Sequence, residues 1–200
     1  MGTTMTTTVA RYDAVVFDLD GTLVDSGLDF RAIRRELGFP EGIGLLEHMA
    51  TLSEAEAARA HAIIHRFEMA GAESASWMPG AEALVRHLHR QTIPVAVLTR
   101  NSREAVAATN AAISLGIDLI LTRDDAPPKP DPAGLLQIAD TFGVAPEHMT
   151  YIGDFVDDLT TARRAGMAGG LYRNARNAGY ADRADYVIEH FDDLRRAWSD

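Results

Sequence analysis

Six short apolar runs recur along this chain: AVVF at 14–17, VAVL at 95–98, LIL at 119–121, TYI at 150–152, GLY at 170–172 and YVI at 186–188. No other feature restricts the fold as much. A strand with one wet face alternates apolar and polar residues, whereas a continuous run belongs to a strand covered on both faces, as in a parallel sheet. Between most of the runs lie segments with helical spacing, at 81–90, 103–115, 133–142 and 157–165. This alternation predicts an α/β fold, a Rossmann-like and mainly parallel sheet with helices on both faces. Two hundred residues, 46% of them hydrophobic, are enough for one such domain carrying an inserted subdomain.

One gap breaks the rhythm. Residues 18–94 separate the first run from the second, far more than a crossover helix needs. The excess, 26–76, reads as helical throughout. Ser53 and Glu56 have capping-box spacing, and Ala57, Ala60, Ile64 and Phe67 follow at helical intervals. The expected organisation is therefore a core domain of residues 11–25 and 77–200, a small all-helical cap of residues 26–76 inserted after the first strand, and a flexible tail of residues 1–10. Hinges are expected near 21–26 and 76–80, where Pro79 and Gly80 punctuate the return. Trp77 and Met78 are expected to pack where the cap rejoins the core. The tail fits a loose myristoylation pattern at Gly2 and Thr6, but a threonine-rich tail is the simpler reading.

Charge and composition narrow the functional classes. A net charge of −10 repels nucleic acid and anionic membranes, so neither is an expected partner. An anionic substrate would need local cations or a metal to overturn that field. The absence of cysteine excludes disulfides, thiolate nucleophiles and cysteine-ligated zinc. The apolar runs are too short to span a bilayer. A cytoplasmic protein is expected, as a monomer or weak homodimer.

Ligands of open α/β sheets bind beyond the carboxyl ends of the strands, and polar groups gather there. The first strand runs into Asp18 and Asp20, the second into Thr99, and the fourth into Asp154, Asp157 and Asp158. The loop after the third carries Lys129, the only lysine in the chain. Asp18 and Asp20, two apart on an extended strand, would lie about 6–7 Å from each other on one face. Two carboxylates at that distance repel by roughly 2–3 kcal/mol at an effective dielectric near 20. Taken singly, each Asp could cap a turn or helix. Taken together with the lone lysine, they call for a cation, and all-oxygen ligation favours Mg²⁺. The TRNS segment at 99–102 opens a helix, whose free N–H groups suit an anion. Thr99 adds a hydroxyl, Arg100 and Asn101 are further substrate-binding candidates, and Asn101 or Ser102 can serve as an ordinary N-cap.

With these residues in view, the chain resembles the haloacid dehalogenase-like hydrolase superfamily. Four motifs carry the resemblance in order: DLDGTL at 18–23, LTRN at 98–101, KPDP at 129–132 and GDFVDDL at 153–159. The helical insertion is similar to the cap of the phosphoglycolate phosphatase and β-phosphoglucomutase group, though short for it. The resemblance implies that Asp18 is a nucleophile forming an aspartyl-phosphate. It implies that Asp20 protonates the leaving alkoxide and later activates water, with its backbone carbonyl on Mg²⁺. Thr99 would bind phosphoryl oxygens, and Lys129 would hold Asp18 and the phosphoryl group. Asp154 would complete the metal site with Asp158 behind it, and Asp157, at the wrong spacing, would face solvent.

The implied activity is Mg²⁺-dependent hydrolysis of a small phosphorylated metabolite, a phosphoglycolate-like compound or a sugar phosphate. The acid at position 20 separates this from dehalogenation, and the lysine-free cap separates it from Schiff-base phosphonate cleavage. Two alternatives stay open: a phosphosugar mutase, and a catalytically idle regulatory or binding member. The remaining features point to packing or solvation. His61 and His65 lie four apart on a helix but have no evident third ligand. His87 and His89 do not share a face. Arg31, Arg34 and Arg35 read as a solvated helix face or, less simply, as substrate contacts.

Overall fold

The computed structural model describes residues 11–40 and 45–199. Gly2, Thr6 and the rest of the threonine-rich segment, with the expectations attached to them, lie outside the described residues. The chain opens with β1 (Ala14–Phe17) and β2 (Val24–Asp25), followed by α1 (Phe30–Leu37), α2 (Leu45–Met49) and α3 (Glu54–Glu73). Next come β3 (Ser76–Trp77), α4 (Ala81–Arg90), β4 (Val95–Leu98), α5 (Arg103–Ile113), β5 (Leu119–Leu121) and α6 (Ala133–Phe142). The last third holds β6 (Met149–Gly153), α7 (Val156–Ala165), β7 (Ala168–Tyr172), β8 (Tyr186–Ile188) and α8 (Phe191–Ala197).

All six apolar runs become strands of one sheet, ordered β5-β4-β1-β6-β7-β8, and every neighbouring pair is parallel. Both faces are covered, as the unbroken apolar runs require. Val15 and Phe17 point into the layer shared with α4, α5 and α8, while Ala14 and Val16 point into the layer shared with α6 and α7. Phe17 and Leu84 are fully buried, and burial of side chains of this size contributes about 1.5–3 kcal/mol each. From β1 the chain steps out through β4 to β5, then returns to the opposite side of β1 to build β6, β7 and β8. That reversal makes the carboxyl end of β1, between β4 and β6, the switch point at which sheets of this kind bind ligands in a crevice.

The excursion between β2 and β3 holds three helices with an apolar cluster of their own. Ile33, Met49, Ala60 and Ile64 are buried in it, with Leu37, Phe39 and Phe67 packed around them. The helical character expected throughout 26–76 is interrupted, because residues 38–40 and 50–53 are not helical. Gly38 stops α1 at φ 66°, and Ser53 starts α3 with its N–H donating to Glu56 Oε2 at 3.0 Å. The two ends of the excursion pair as an antiparallel ribbon, Val24 with Trp77 and Asp25 with Ser76. Trp77 then donates its indole N–H to the Ile113 carbonyl at 3.3 Å, docking the return on α5.

The helix expected over 103–115 ends at Ile113. Ser114 turns the chain at φ 51°, and Asn110 Oδ1 accepts the Leu115 N–H at 2.8 Å. Among the described residues, no helix is long and apolar enough to cross a membrane.

Candidate active site

The carboxyl end of β1 carries the first acid. Asp18 donates its N–H to the Ile152 carbonyl at 2.8 Å, extending the β1–β6 pairing by one residue, and the residue is only 8% exposed. The chain then turns sharply. Leu19 O accepts N–H groups from Leu23 at 3.0 Å and Val24 at 2.9 Å, while Gly21 sits at φ 78°. A Cβ on Gly21 would lie 2.7 Å from Asp154 Oδ2. Glycine is thus required there for its backbone angle and for the approach of a carboxylate. Asp20 lies in this turn, and its two oxygens accept from Ser26 Oγ and from Asn101 Nδ2. Burial raises the Asp20 pKa, and these two hydrogen bonds offset that only in part.

Lys129 arrives on the loop after β5, just before a cis Lys129–Pro130 bond. Its ammonium, in a side chain only 6% exposed, donates to Asp18 Oδ1 at 2.6 Å, Asp158 Oδ1 at 2.7 Å and the Tyr151 hydroxyl at 3.0 Å. Each of its three N–H bonds therefore has a protein acceptor, so what it offers an incoming phosphoryl group is charge. Burial works against the charged form, but Asp158 and Asp18 outweigh it and raise the lysine pKa.

The loop after β6 supplies the other acids. Asp158, at the start of α7, accepts the Phe155 N–H on Oδ2 at 2.9 Å. A Cβ on Gly153 would lie 2.3 Å from the Asp158 carboxylate, so only glycine fits beneath it. Asp154 is held from β7: Asn174 Nδ2 donates to Oδ2 at 3.1 Å, and the buried Asn177 donates to the Asp154 carbonyl at 2.8 Å.

Asp18, Asp154 and Asp158 each offer an oxygen within 4.8 Å of the others. The Asp20 carboxylate is not part of that group. Three carboxylates around one ammonium leave an excess of negative charge. Burial first, then the neighbouring acids, push Asp18 up to about 8 and Asp154 up to about 6, against the pull of Lys129.

Thr99 is buried at the end of β4, its hydroxyl accepting the Asn101 N–H at 3.1 Å. Ser102 is the N-cap of α5, accepting the Ala105 N–H at 3.2 Å. Asn101 instead holds Asp20. Arg100 and Asp157 depart from expectation together. Asp157 does not face solvent but pairs with Arg100 at 2.6 Å, both side chains 26% exposed. Arg100 also donates to the Lys129 carbonyl, so its guanidinium clips the lysine loop to α7. Of the other basic candidates, Arg34 donates to the Pro40 carbonyl at 3.0 Å, Arg31 and Arg35 are exposed, and His65 faces Glu104 at 3.3 Å.

Sequence reasoning missed Tyr151, Ser26, Asn174 and Asn177. The two asparagines follow β7, where the strand-end rule applied once more would have found them. Tyr151 lies inside a buried strand and carries no such signal.

A doubly wound parallel sheet with a lysine-bridged cluster of carboxylates at its switch point defines a class of α/β enzyme. Comparison with known proteins makes the class specific. Residues 12–166 match the model of the haloacid dehalogenase-like hydrolases. A haloacid dehalogenase-like hydrolase domain-containing protein of Arabidopsis thaliana is 32% identical over 178 residues, covering 83% of this chain and 73% of that one. A phosphoglycolate phosphatase of Chromobacterium violaceum is 30% identical over 198 residues, covering 84% of this chain and 86% of that one. The crystal structure of a hydrolase from Pseudomonas syringae shares the fold with a TM-score of 0.78 at 22% identity, covering 92% and 96%. The chain belongs to the haloacid dehalogenase-like hydrolases.

Proposed function

We propose that this chain is a Mg²⁺-dependent phosphatase that hydrolyses small phosphomonoesters in the cytoplasm through a phosphorylated Asp18. The observation that carries this reading is the Lys129 ammonium bridging Asp18 and Asp158 beside Asp154. The similarity to a phosphoglycolate phosphatase supports a small phosphorylated metabolite, a phosphoglycolate-like compound or a sugar phosphate, as substrate.

The donor set fits the metal. Three clustered carboxylates, short of positive charge by about the amount a divalent ion carries, suit a hard cation. Asp18, Asp154 and the Asp20 carbonyl would hold it, with Asp158 behind them. Bound there, Mg²⁺ supplies charge that keeps Asp18 ionised and neutralises phosphoryl oxygens.

The chain's own residues account for the chemistry. Lys129 occupies Asp18 Oδ1 and leaves Oδ2 as the attacking atom. Attack forms an Oδ2–P bond as the P–O bond to the leaving group breaks. Asp20, whose raised pKa favours the protonated form, gives its proton to the departing oxygen. Water then attacks phosphorus, Asp20 takes the proton back, and phosphate leaves Asp18. The Thr99 hydroxyl meets a phosphoryl oxygen. In this reading, residues 26–76 form a cap seated over the crevice by α3.

A phosphate-release screen against phosphorylated metabolites tests the proposal. Turnover should require Mg²⁺, disappear with EDTA, and be abolished by Asp18→Asn. Full activity in Asp18→Asn would overturn the nucleophile assignment.

A further inference from the structure

Glu68 is an acid that the reaction does not use, yet it is 7% exposed near the site. It lies on α3, and its partner is Arg123, in the loop that follows β5 on the core. The contact is bidentate: Arg123 Nη1 donates to Oε1 and Nη2 to Oε2, the latter at 2.9 Å. Burying such a pair carries a large desolvation penalty and is weak support for stability alone. A fork geometry, however, fixes both partners in orientation as well as distance.

What Arg123 does with its other donors gives the pair a task. Its Nη1 also donates to the Arg100 carbonyl at 2.9 Å, and its backbone N–H donates to the Asn101 carbonyl at 3.1 Å. The backbone of residues 100–101 is therefore pinned at two consecutive carbonyls. From that short segment, the Asn101 side chain reaches an oxygen of Asp20, and the Arg100 side chain reaches the Lys129 loop. A continuous set of hydrogen bonds thus joins α3 of the insertion to the proposed acid.

We propose that Glu68 and Arg123 are positioning residues for Asp20: seating α3 fixes Arg123, which fixes the 100–101 segment, which aims the Asn101 amide at the Asp20 carboxyl. Ser26 Oγ holds one oxygen of the acid, and docking of the insertion sets the hydrogen bond from Asn101 to the other. This rests on the reading of Asp20 as general acid, and the test separates the two claims.

A misplaced acid handicaps poor leaving groups more than good ones. Two probes of similar size serve, benzyl phosphate with its poor alkoxide leaving group and p-nitrophenyl phosphate with its stabilised phenolate. The quantity read is kcat/KM, which reports the steps through leaving-group departure. Glu68→Gln should lower kcat/KM for benzyl phosphate about tenfold more than for p-nitrophenyl phosphate, a fraction of the full general-acid contribution. Arg123→Lys, which loses the fork, should show the same bias and carries the test if the first variant does not accumulate folded. Glu36→Gln removes the exposed pair of Glu36 with Arg66 within the insertion and should leave the ratio unchanged. Equal losses on both probes, or none, in Glu68→Gln or Arg123→Lys would overturn the inference. Asp20→Asn calibrates the reading beneath it: a large bias against benzyl phosphate supports Asp20 as acid, and its absence would overturn that assignment first.

Discussion

Lys129 makes three hydrogen bonds to three different acceptors from a single nitrogen. A guanidinium presents its donors in a plane and spreads its charge over a larger group. It cannot place three N–H bonds around one point between Asp18, Asp158 and Tyr151. Lys129→Arg should therefore keep the positive charge and the fold but misplace that charge and the Asp18 carboxylate, lowering kcat by about 10²–10³, on the scale of losing one preorganised electrostatic contact. Circular dichroism paired with steady-state kinetics checks both halves, and near wild-type turnover would contradict the geometry. The same residue shows what the sequence could reveal. A lone lysine among acids placed at strand ends was conspicuous, as were the acids themselves, because charge at a buried edge needs a reason. Tyr151 gave no such warning, since a tyrosine in a buried strand is ordinary core until its hydroxyl is traced. Asp157 misled by its spacing. Its neighbour Asp158 takes the site-facing position, but pairing with Arg100 brings Asp157 inward as well.

At the scale of elements, the six strands were legible because continuous apolar runs have few alternatives in a domain of this size. The ribbon of β2 and β3 was not, for a strand of two residues has no period to detect. Nor was α8, whose seven residues offer only Phe191 and Leu194 to the core. The insertion is read best as an element set with its own cohesion. Ile64 is buried in the cluster that α1, α2 and α3 share, away from the two layers against the sheet. Ile64→Ala should remove about 2–4 kcal/mol from that local unit. The loss should appear as faster amide hydrogen exchange across α1 and α3, with β1, β4 and β6 still protected. Equal acceleration in the sheet would mean that insertion and core unfold as one unit.

For the whole molecule, the excess of acid at the crevice couples folding, protons and metal. Burial, with the neighbouring acids, sets Asp18 at about 8 and Asp154 at about 6 in the metal-free fold, where an ordinary Asp carboxyl has 3.8. A carboxyl raised in this way gives the folded state protons that the unfolded chain releases. Its stabilising contribution is complete below about pH 4 and is lost as pH rises through 6 for Asp154 and through 8 for Asp18. The metal-free protein should therefore lose melting temperature from these groups between pH 5 and pH 9. A divalent ion binds the ionised carboxylates and competes with those same protons. By mass action its stabilisation should be larger where the protons are already gone. At fixed Mg²⁺, the rise in Tm should be greater at pH 8 than at pH 6, and Asp154→Asn should abolish most of the difference. Differential scanning fluorimetry with and without Mg²⁺ at the two pH values measures it, and taking the difference cancels the titration of carboxyls elsewhere. A rise no larger at pH 8 than at pH 6 would show that Asp18 and Asp154 do not hold the ion.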